Sequence, residues 1–303
     1  MHPQIHISKS IFNPVSLIGK EIGGYTIIQI LGRGAMGAVF IAFQHSLKRK
    51  IAVKIYPKQG PVPDSGIRFR DEAETVAILN HPSIVPIFDM GDTGDLLYIS
   101  MQLVEGEDLD SMIQRYNRHP VSSKKFIPVD ECIRIFENIL DALSFAHEEG
   151  VIHQDIKPAN ILIEERGKRP YLADFGIART EYTEESQEGV VFGTPIYMSP
   201  EQMLNKNVDN RSDIYSAGMA FYETVAGKLP LQVRTIEKIL MAKINDHDSL
   251  FTCLPTQWRS HIDKELERII CKAICAVPEK RYQSAAAFRD DLHFYYERRC
   301  KKA

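Results

Sequence analysis

The sequence feature that most restricts the fold is a set of three glycines between two strand-like runs. Gly32, Gly34 and Gly37 form a G-x-G-x-x-G pattern, which brings backbone amides close to phosphate groups in two different folds. The dinucleotide-binding fold requires a helix after the glycines and an acidic residue about 20 positions further on. Here residues 39–43 continue as a strand, and the residue 20 positions beyond Gly34 is Lys54. The pattern therefore favours a β-hairpin that covers a phosphate-bearing ligand, with a plain glycine-rich turn as the alternative.

A second segment, His153–Ile163, carries three different side-chain chemistries ahead of a short apolar run. Asp155 can accept a proton from a hydroxyl, Lys157 can neutralise phosphate charge, and the carboxamide oxygen of Asn160 can ligate a hard cation. Pro158 fixes the backbone between Lys157 and Asn160, so the segment is predicted to be a rigid loop before a buried strand. In isolation such a segment would more often be a polar surface turn ahead of a strand. The rest of the chain has to decide between the two interpretations.

The N-terminal third of the chain is predicted to be rich in strands and the remainder rich in helices. Apolar and β-branched runs predict strands at 25–30, 39–43, 51–55, 84–90 and 96–103. From Leu109 onward apolar residues recur at helical spacing, as in the stripe from Ile133 to His147. We therefore predict an α+β chain with two lobes. The predicted divisions are an N-terminal extension over 1–20, a small lobe over 21–104 and a large, mostly helical lobe over 105–303.

Lys54 lies inside the apolar run Ile51–Ile55, where an ammonium group is costly unless it finds a partner. A lysine on the polar face of an alternating strand is the alternative explanation. The helix predicted over 69–79 contains two glutamates that could serve as this partner. Glu72 falls on the apolar face of that helix by its spacing, whereas Glu74 points elsewhere. Glu72 is therefore the candidate partner.

Composition narrows the function classes. The 303 residues are 44% hydrophobic and 25% charged, which is typical of a globular chain with a large core. The formal net charge of −3 argues against a general nucleic-acid binder, because such proteins need a basic excess. The five cysteines show no C-x-x-C pairing and no zinc-site spacing. Without an apolar run of about 18 residues, we expect a cytoplasmic chain with no membrane segment and no nucleic-acid partner.

Further motifs follow the His153–Ile163 segment in order. They are Asp174-Phe175-Gly176, Gly193–Glu201, Asp213–Gly218 and Pro278–Tyr282. Together with the glycines and Lys54, these motifs resemble those of eukaryotic-type protein kinases, and they span Gly32 to Arg281. A narrower similarity to the bacterial Hanks-type serine/threonine group is found at 34–37, 69–73 and 199–202.

The resemblance implies a bilobal protein kinase fold. Its small lobe would contain a five-stranded antiparallel sheet with one main helix, and its large lobe would be mostly helical. The implied activity is transfer of the ATP γ-phosphoryl group to serine and threonine hydroxyls of protein substrates. Asp155 would orient the hydroxyl and accept its proton, and Lys157 would offset charge on the γ-phosphate. Lys54 with Glu72 would hold the other phosphates.

The resemblance also implies two cofactors, ATP and Mg²⁺, with Mn²⁺ as an alternative metal. Asn160 and Asp174 would be the metal ligands, because this ion takes few protein oxygens in addition to phosphate oxygens. Glu201 and Arg281 would form a buried ion pair with a structural role. The implied nucleotide-binding residues are Leu31, Gly32, Gly34, Gly37, Val39, Ala52, Lys54, Met101, Gln102, Leu103, Asp108 and Leu162.

Gln154 departs from the family pattern, which usually has arginine at this position. The usual arginine pairs with a phosphate on the activation segment, and glutamine carries no charge to make that bidentate pair. The segment between Arg179 and Gly193 is itself acidic, with its charges at 181–188. We therefore hypothesise that activity depends little on phosphorylation of this segment. A solvated acidic loop without a regulatory role is the alternative.

Two other function classes compete with an active protein kinase. A catalytically weak pseudokinase scaffold is the first, because unusual loop residues are common among such proteins, and a small-molecule kinase of related fold is the second. Every residue needed to handle metal, phosphate and proton is present, which favours an enzyme. The Gly193–Glu201 segment favours protein substrates, and Lys157 with Thr194 favours serine or threonine acceptors. The oligomeric state is left open, with a dimer as one option.

Overall fold

The computed structural model describes most of the chain, and its residues fall into two compact units. The first unit is drawn from Met1–Glu74 and Ile87–Leu103, and the second from Thr75–Pro86 and Val104–Ala303. The units therefore divide at residues 103 and 104, and the stretch 75–86 joins the second unit. The described residues are 12–34, 37–58, 76–175, 196–204, 206–229, 231, 235–245, 250–251, 254–259 and 262–301.

The described part of the first unit is an antiparallel sheet of six strands. Its strands are β1 (Glu21–Ile22), β2 (Tyr25–Arg33), β3 (Ala38–Gln44), β4 (Arg49–Pro57), β5 (Ile87–Asp92) and β6 (Leu96–Met101). Their order in the sheet is β1-β2-β3-β4-β6-β5. The sequence predicted five strands, and that number is wrong by one. The additional strand β1 has only two residues, Glu21 and Ile22, so it is too short to show an alternating pattern.

Apolar side chains on one face of this sheet form the core of the first unit. Phe40 and Ala42 alternate with half-buried residues along β3, and Val53 and Ile55 lie fully buried on the adjacent strand β4. Tyr25 packs its ring edge-on against another tyrosine and points its hydroxyl to the Ser100 hydroxyl at 3.2 Å. The period-2 pattern of the sequence thus specifies which face of the sheet is buried.

The described part of the second unit is mainly helical. Its helices are α1 (Leu109–Asn117), α2 (Val129–Glu148), α3 (Pro200–Met203), α4 (Asn210–Ala226), α5 (Ile236–Asn245), α6 (Pro255–Trp258), α7 (Lys264–Ala273) and α8 (Ala285–Cys300). A three-stranded sheet of order β7-β8-β9 accompanies them, with β7 at Gly106–Asp108, β8 at Ile161–Glu164 and β9 at Pro170–Leu172. Short 3₁₀ turns occupy Pro14–Leu17 in the first unit and Ser122–Lys124, Pro158–Asn160 and Pro278–Lys280 in the second. The predicted strand-rich and helix-rich lobes are confirmed.

Helix α4 is buried along almost its whole length. Of its 17 residues, 14 are buried, including the polar Ser212, Asp213, Ser216 and Thr224. A helix that is buried all round must lie inside the core rather than on the surface. A side chain at Gly218 would meet Ala273 at 2.8 Å, so this glycine allows α4 and α7 to pack closely. Gly227 ends the helix in the left-handed conformation, with φ of 81°.

The predicted ion pair between Glu201 and Arg281 is confirmed and lies in the second unit. Arg281 Nη1 and Nη2 donate to the two carboxylate oxygens of Glu201 at 2.6 and 2.8 Å. Arg281 also donates to the backbone carbonyls of Arg211, Cys275 and Ala276. Burial alone would raise the pKa of the Glu201 carboxyl. The hydrogen bonds and charge of Arg281, together with the Ser212 hydroxyl, outweigh burial and lower that pKa to about 2.

This lowered pKa predicts an acid dependence of stability. The Glu201 carboxyl is easier to protonate in the unfolded chain, so its contribution is fully present above pH 4.5 and is lost as pH falls towards 2. Urea unfolding of the wild type and of Glu201→Gln between pH 2 and 7 measures the contribution of this carboxyl to the free energy of unfolding. The stability advantage of the wild type should shrink by about 3 kcal/mol across this window. An advantage that stays constant over the whole range would contradict the assignment.

Candidate active site

The loop that carries Asp155, Lys157 and Asn160 begins where helix α2 ends. Its backbone is fixed by hydrogen bonds to the side chain of Asp213. The carboxylate of Asp213 is fully buried in α4. Its Oδ2 accepts from the backbone N–H of His153, and its Oδ1 accepts from that of Gln154, both at 2.8 Å. The ring Nε2 of His147 lies 2.8 Å from the same Oδ2. A single buried carboxylate therefore fixes two consecutive peptide groups of the loop.

Gln154 has an unusual backbone conformation, with φ of 62°. A non-glycine residue in this left-handed region costs about 1–2 kcal/mol and persists only where its surroundings determine it. The hydrogen bond to Asp213 is one of the contacts that hold Gln154 in this conformation. The N–H of the next residue, Asp155, turns back to the carbonyl of His153 at 2.9 Å and to its ring Nδ1 at 3.2 Å. The chain thus makes a sharp turn directly before Asp155.

The three predicted groups come together at the carboxylate of Asp155. Lys157 Nζ lies 2.8 Å from Asp155 Oδ2. The carboxamide nitrogen of Asn160 donates to the same Oδ2 at 3.1 Å and to the backbone carbonyl of Asp155 at 2.7 Å. The side chains of Asp155 and Lys157 remain 28% and 21% exposed. A partly accessible carboxylate with two donors on one oxygen can receive a proton on the other.

Asp174 follows strand β9, and its backbone is held by the same loop. The N–H of the preceding Ala173 donates to the carbonyl of Asn160 at 2.9 Å. The ring of Phe175 lies 4.4 Å from the ring of His153, measured between centroids. Asp174 itself has φ of 58°. These contacts place the two predicted metal-ligating residues on adjacent, mutually hydrogen-bonded segments.

His153 is an uncharged part of this arrangement. Burial lowers its pKa and outweighs the charges of Asp213 and Asp155, which act in the opposite direction. Its Nδ1 faces the N–H of Asp155, so Nδ1 is the acceptor, and Nε2 donates to the carbonyl of Ala173 at 3.1 Å. One donor and one acceptor are what a neutral imidazole offers. His153 therefore bridges the Asp155 and Asp174 segments without charge.

The donor set at Asn160 and Asp174 fits a hard divalent cation. A carboxamide oxygen and a carboxylate are both oxygen ligands, and Mg²⁺ takes few of these from the protein while keeping water and phosphate oxygens. Within the described ranges, no group of three or more His, Cys, Asp or Glu side chains could hold a metal by itself. A metal held by Asn160 and Asp174 would complete its coordination with water or phosphate oxygens.

In the first unit, strand register puts five of the predicted nucleotide-binding residues on one face of the sheet. Gly32 pairs with Val39, and Val39 pairs with Lys54 on the next strand. Ala52, two residues before Lys54, pairs with Met101. Directly paired residues, and residues two apart, share a face of a sheet. The face that carries Lys54 is therefore also the face of Val39, Ala52 and Met101.

The glycine motif is described only in part, because Ala35 and Met36 lie outside the described residues. A side chain at Gly37 would collide with the backbone carbonyl of Ile55, so the third glycine is required for close backbone approach. The N–H of Gly34 donates to the carbonyl of Gly37 at 2.9 Å. These contacts hold the two described ends of the glycine motif, Gly34 and Gly37, close to each other and to strand β4.

The other predicted residues divide between the two units. Leu31 lies at the irregularity between β2 and β3 and is exposed, and Gln102 and Leu103 follow β6. In the second unit, Asp108 pairs in register with Leu162. Its carboxylate caps helix α1 by accepting from the backbone N–H and the hydroxyl of Ser111, both at 2.8 Å. Glu72, Thr194 and the acidic segment 180–188 lie outside the described residues.

Sequence reasoning missed two residues that hold the segment after residue 195. Lys243 on α5 is buried and donates to the carbonyls of Ile196 and Met198 at 2.6 and 2.5 Å. Gln202 on α3 donates to the carbonyl of Gln154 at 3.0 Å. No local pattern marks Lys243. The S-x-x-Q spacing of Ser199 and Gln202, a capping-box signature, could have identified the second residue.

Comparison with known proteins agrees with this geometry. A family model described as "Protein kinase domain" matches residues 25–292. The chain is 33% identical over 282 residues to serine/threonine-protein kinase Pkn1 of Myxococcus xanthus, covering 91% of the chain and 39% of that protein. It is 36% identical over 275 residues to serine/threonine-protein kinase PknB of Mycobacterium leprae, covering 88% and 42%. The chain thus spans about two fifths of the length of these relatives.

The chain also resembles a solved kinase structure. The crystal structure of the Mycobacterium tuberculosis PknI kinase domain superposes with a TM-score of 0.71 at 27% identity, covering 91% of this chain and 98% of that one. Among the helices within the described ranges, none is long and apolar enough to cross a membrane.

The role of Asp213 can be tested by replacing one of its carboxylate oxygens with an amide nitrogen. Asp213→Asn should remove one charge-assisted hydrogen bond, because the new side-chain NH₂ group would face an N–H group that now donates to the carboxylate. This loss should lower the free energy of unfolding by about 3 kcal/mol. The His153 and Gln154 amides should also exchange faster with solvent, as measured by NMR. Asp209→Asn on the same helix is the matched control, because Asn caps a helix nearly as well as Asp. Equal effects of both substitutions would contradict the assignment.

Proposed function

Because this chain belongs to the protein kinase family, with bacterial Hanks-type serine/threonine kinases as its relatives, we propose that it transfers the γ-phosphoryl group of ATP to serine and threonine hydroxyls of protein substrates. The observation that carries the proposal is the convergence of Lys157 and Asn160 on the carboxylate of Asp155. Phosphoryl transfer needs little covalent chemistry from the protein, so positioned charges of this kind supply most of the catalysis.

Asp155 is the proposed proton acceptor. Its Oδ2 is occupied by the Lys157 ammonium and the Asn160 amide, and these two donors fix the plane of the carboxylate. A substrate hydroxyl would then donate to Oδ1 and be oriented for attack. Lys157, held beside this carboxylate, would offset the negative charge on the γ-phosphate.

Asn160 and Asp174 are the proposed ligands of Mg²⁺, with Mn²⁺ as a second hard cation that suits oxygen ligands. A bound divalent ion supplies neutralisation of charge on the phosphate oxygens. The chain's own contribution is to hold the two ligands in place. Asn160 is fixed through Asp155, and Asp174 through the Ala173 to Asn160 hydrogen bond.

The first unit is proposed to bind the rest of the nucleotide. Lys54, paired with Glu72, would hold the α- and β-phosphates. Val39, Ala52 and Met101 share the sheet face of Lys54, which supports a common role in lining the nucleotide. The further proposed contacts of the first unit are Leu31, Gly32, Gly34, Gly37, Gln102 and Leu103. Asp108 and Leu162 are the contacts proposed from the second unit. Since ATP is the substrate, we place the activity in the cytoplasm, with proteins as the phosphate acceptors.

Replacing the proposed catalytic residues tests the function directly. Asp155→Asn removes the proton acceptor at constant volume, and Lys54→Met removes the phosphate-binding charge, so each variant should lose at least about 10³-fold in kcat/KM. Transfer of labelled phosphate from ATP to a generic protein substrate in the presence of Mg²⁺ measures it, and a thermal melt confirms that both variants fold. Lys50→Met on the same strand is the control for Lys54→Met.

The outcome also separates the competing function classes. Phosphate transfer by the wild type that neither variant diminishes would place the chemistry elsewhere. A folded wild-type protein that binds ATP but transfers no phosphate would favour the pseudokinase scaffold.

Gln154 leads to a prediction about regulation. A neutral side chain at this position cannot form the bidentate ion pair with a phosphate that orders the activation segment in kinases with arginine there. Replacing Thr180, Thr183 and Ser186 together by alanine should therefore change kcat by less than about threefold. Steady-state kinetics of the triple variant measure it, with phosphatase-treated wild type as the control. A loss greater than about tenfold would show that phosphorylation of this segment is required.

A further inference from the structure

The side-chain amide of Gln202 connects the segment after residue 195 to the catalytic loop. Its Oε1 accepts from the backbone N–H of Ser199 at 2.9 Å, which completes the cap of helix α3. Its Nε2 donates to the backbone carbonyl of Gln154 at 3.0 Å. Because both ends of the amide are used, its orientation is determined. A flipped amide would place oxygen against the Gln154 carbonyl and nitrogen against the Ser199 N–H.

Gln202 donates its hydrogen bond to the peptide group that precedes Asp155. Its carbonyl belongs to Gln154 and is held by Gln202, while its N–H belongs to Asp155 and is held by His153. Asp213 fixes the peptide group before it. The orientation of a peptide plane sets the direction in which the next Cα–Cβ bond points. Gln202 therefore acts on the direction of the Asp155 side chain without touching it.

This contact matters because Gln154 is in a conformation that it would not adopt alone. Its φ of 62° is unfavourable for a residue with a β-carbon. Such a residue relaxes when the contacts that determine it are weakened. Rotation of the peptide group between Gln154 and Asp155, about ψ of Gln154 and φ of Asp155, would redirect the Asp155 side chain even while Asp213 holds the N–H of Gln154. The hydrogen bond from Gln202 opposes this rotation at the carbonyl end.

The segment that presents Gln202 is itself fixed from two sides. Lys243 donates to the carbonyls of Ile196 and Met198. Glu201, the neighbour of Gln202, is tied to Arg281 by two hydrogen bonds. A donor carried on a backbone held in this way can define the position of its acceptor, because the donor itself has little freedom to follow it.

We propose that Gln202 is a positioning residue for phosphoryl transfer: its amide locks the peptide group before Asp155 and so keeps the proton-accepting carboxylate aimed at the substrate hydroxyl. This role rests on the function proposed above. The link is a neutral hydrogen bond to a backbone carbonyl, so it works without a phosphate on the activation segment and without a charge at position 154.

Three variants separate positioning from helix capping. Gln202→Glu keeps the volume and the acceptor for the Ser199 N–H, since Glu serves equally in a capping box, but it replaces the donor to Gln154 by an oxygen. Gln202→Met removes both hydrogen bonds. Ser199→Ala removes the hydroxyl that accepts from the Gln202 N–H but leaves the contact with Gln154 intact.

In Mg²⁺-dependent assays, Gln202→Glu and Gln202→Met should lower kcat by about tenfold or more, the effect of one lost hydrogen bond in the transition state. The KM for ATP should stay within about twofold of the wild type, because nucleotide contacts are unchanged. The thermal midpoint of Gln202→Glu should fall by about as much as that of Ser199→Ala, because a carboxylate oxygen then faces the Gln154 carbonyl and one hydrogen bond is lost. Ser199→Ala should lower the thermal midpoint and keep kcat.

A second measurement does not depend on activity. In the wild type the Asp155 amide is hydrogen-bonded within a fixed peptide group, and in Gln202→Glu its exchange with solvent, followed by NMR, should rise about tenfold or more. Unchanged exchange, wild-type kcat in Gln202→Glu, or an equal loss of kcat in Ser199→Ala would each overturn the positioning role. A wild-type protein without phosphotransfer would instead refute the proposed function and leave the exchange measurement to decide on Gln202.

Discussion

The geometry of the proposed catalytic loop depends on one buried carboxylate, that of Asp213. An ionised group without solvent exposure costs several kcal/mol unless donors surround it. Here the donors are the His147 ring and the backbone N–H groups of His153 and Gln154, all at 2.8 Å. Two of these donors belong to the loop itself. The requirement to satisfy the carboxylate therefore shapes the loop, and the nearly complete burial of α4 makes this anchor rigid.

The segment after residue 195 is built on the same principle with charges of the opposite sign. Arg281 faces three backbone carbonyls as well as the carboxylate of Glu201. Lys243 faces the carbonyls of Ile196 and Met198, and burial lowers its pKa well below the ordinary value for lysine. Carbonyl oxygens partly offset the cost of burying the Arg281 and Lys243 side chains. In return these side chains fix backbone atoms on both sides of the contact.

Whether a contact could be predicted from the sequence depends on how far apart its residues lie along the chain. The period-2 pattern of β3 and the stripe from Ile133 to His147 are local, and both predicted elements are confirmed. The convergence at Asp155 is also local, since Lys157 and Asn160 lie within five residues of it. In contrast, Lys243 reaches a segment 45 and 47 positions away, and Gln202 reaches a loop 48 positions away. No periodicity encodes such contacts. The left-handed conformation of Gln154 is equally hidden, because nothing in a glutamine side chain favours it.

Gln154 is best understood through its backbone rather than its side chain. Its N–H is bound by Asp213 and its carbonyl by Gln202, so the loop geometry at this position is fixed at both ends by main-chain contacts. An exchange of arginine for glutamine leaves these contacts unaltered, since neither involves the side chain. The exchange removes the positive charge that could pair with a phosphate on the activation segment. The geometry of this loop is thus carried by the main chain of residue 154, whereas pairing with a phosphate would depend on its side chain. For that reason a neutral side chain at position 154 is compatible with the proposed catalytic centre.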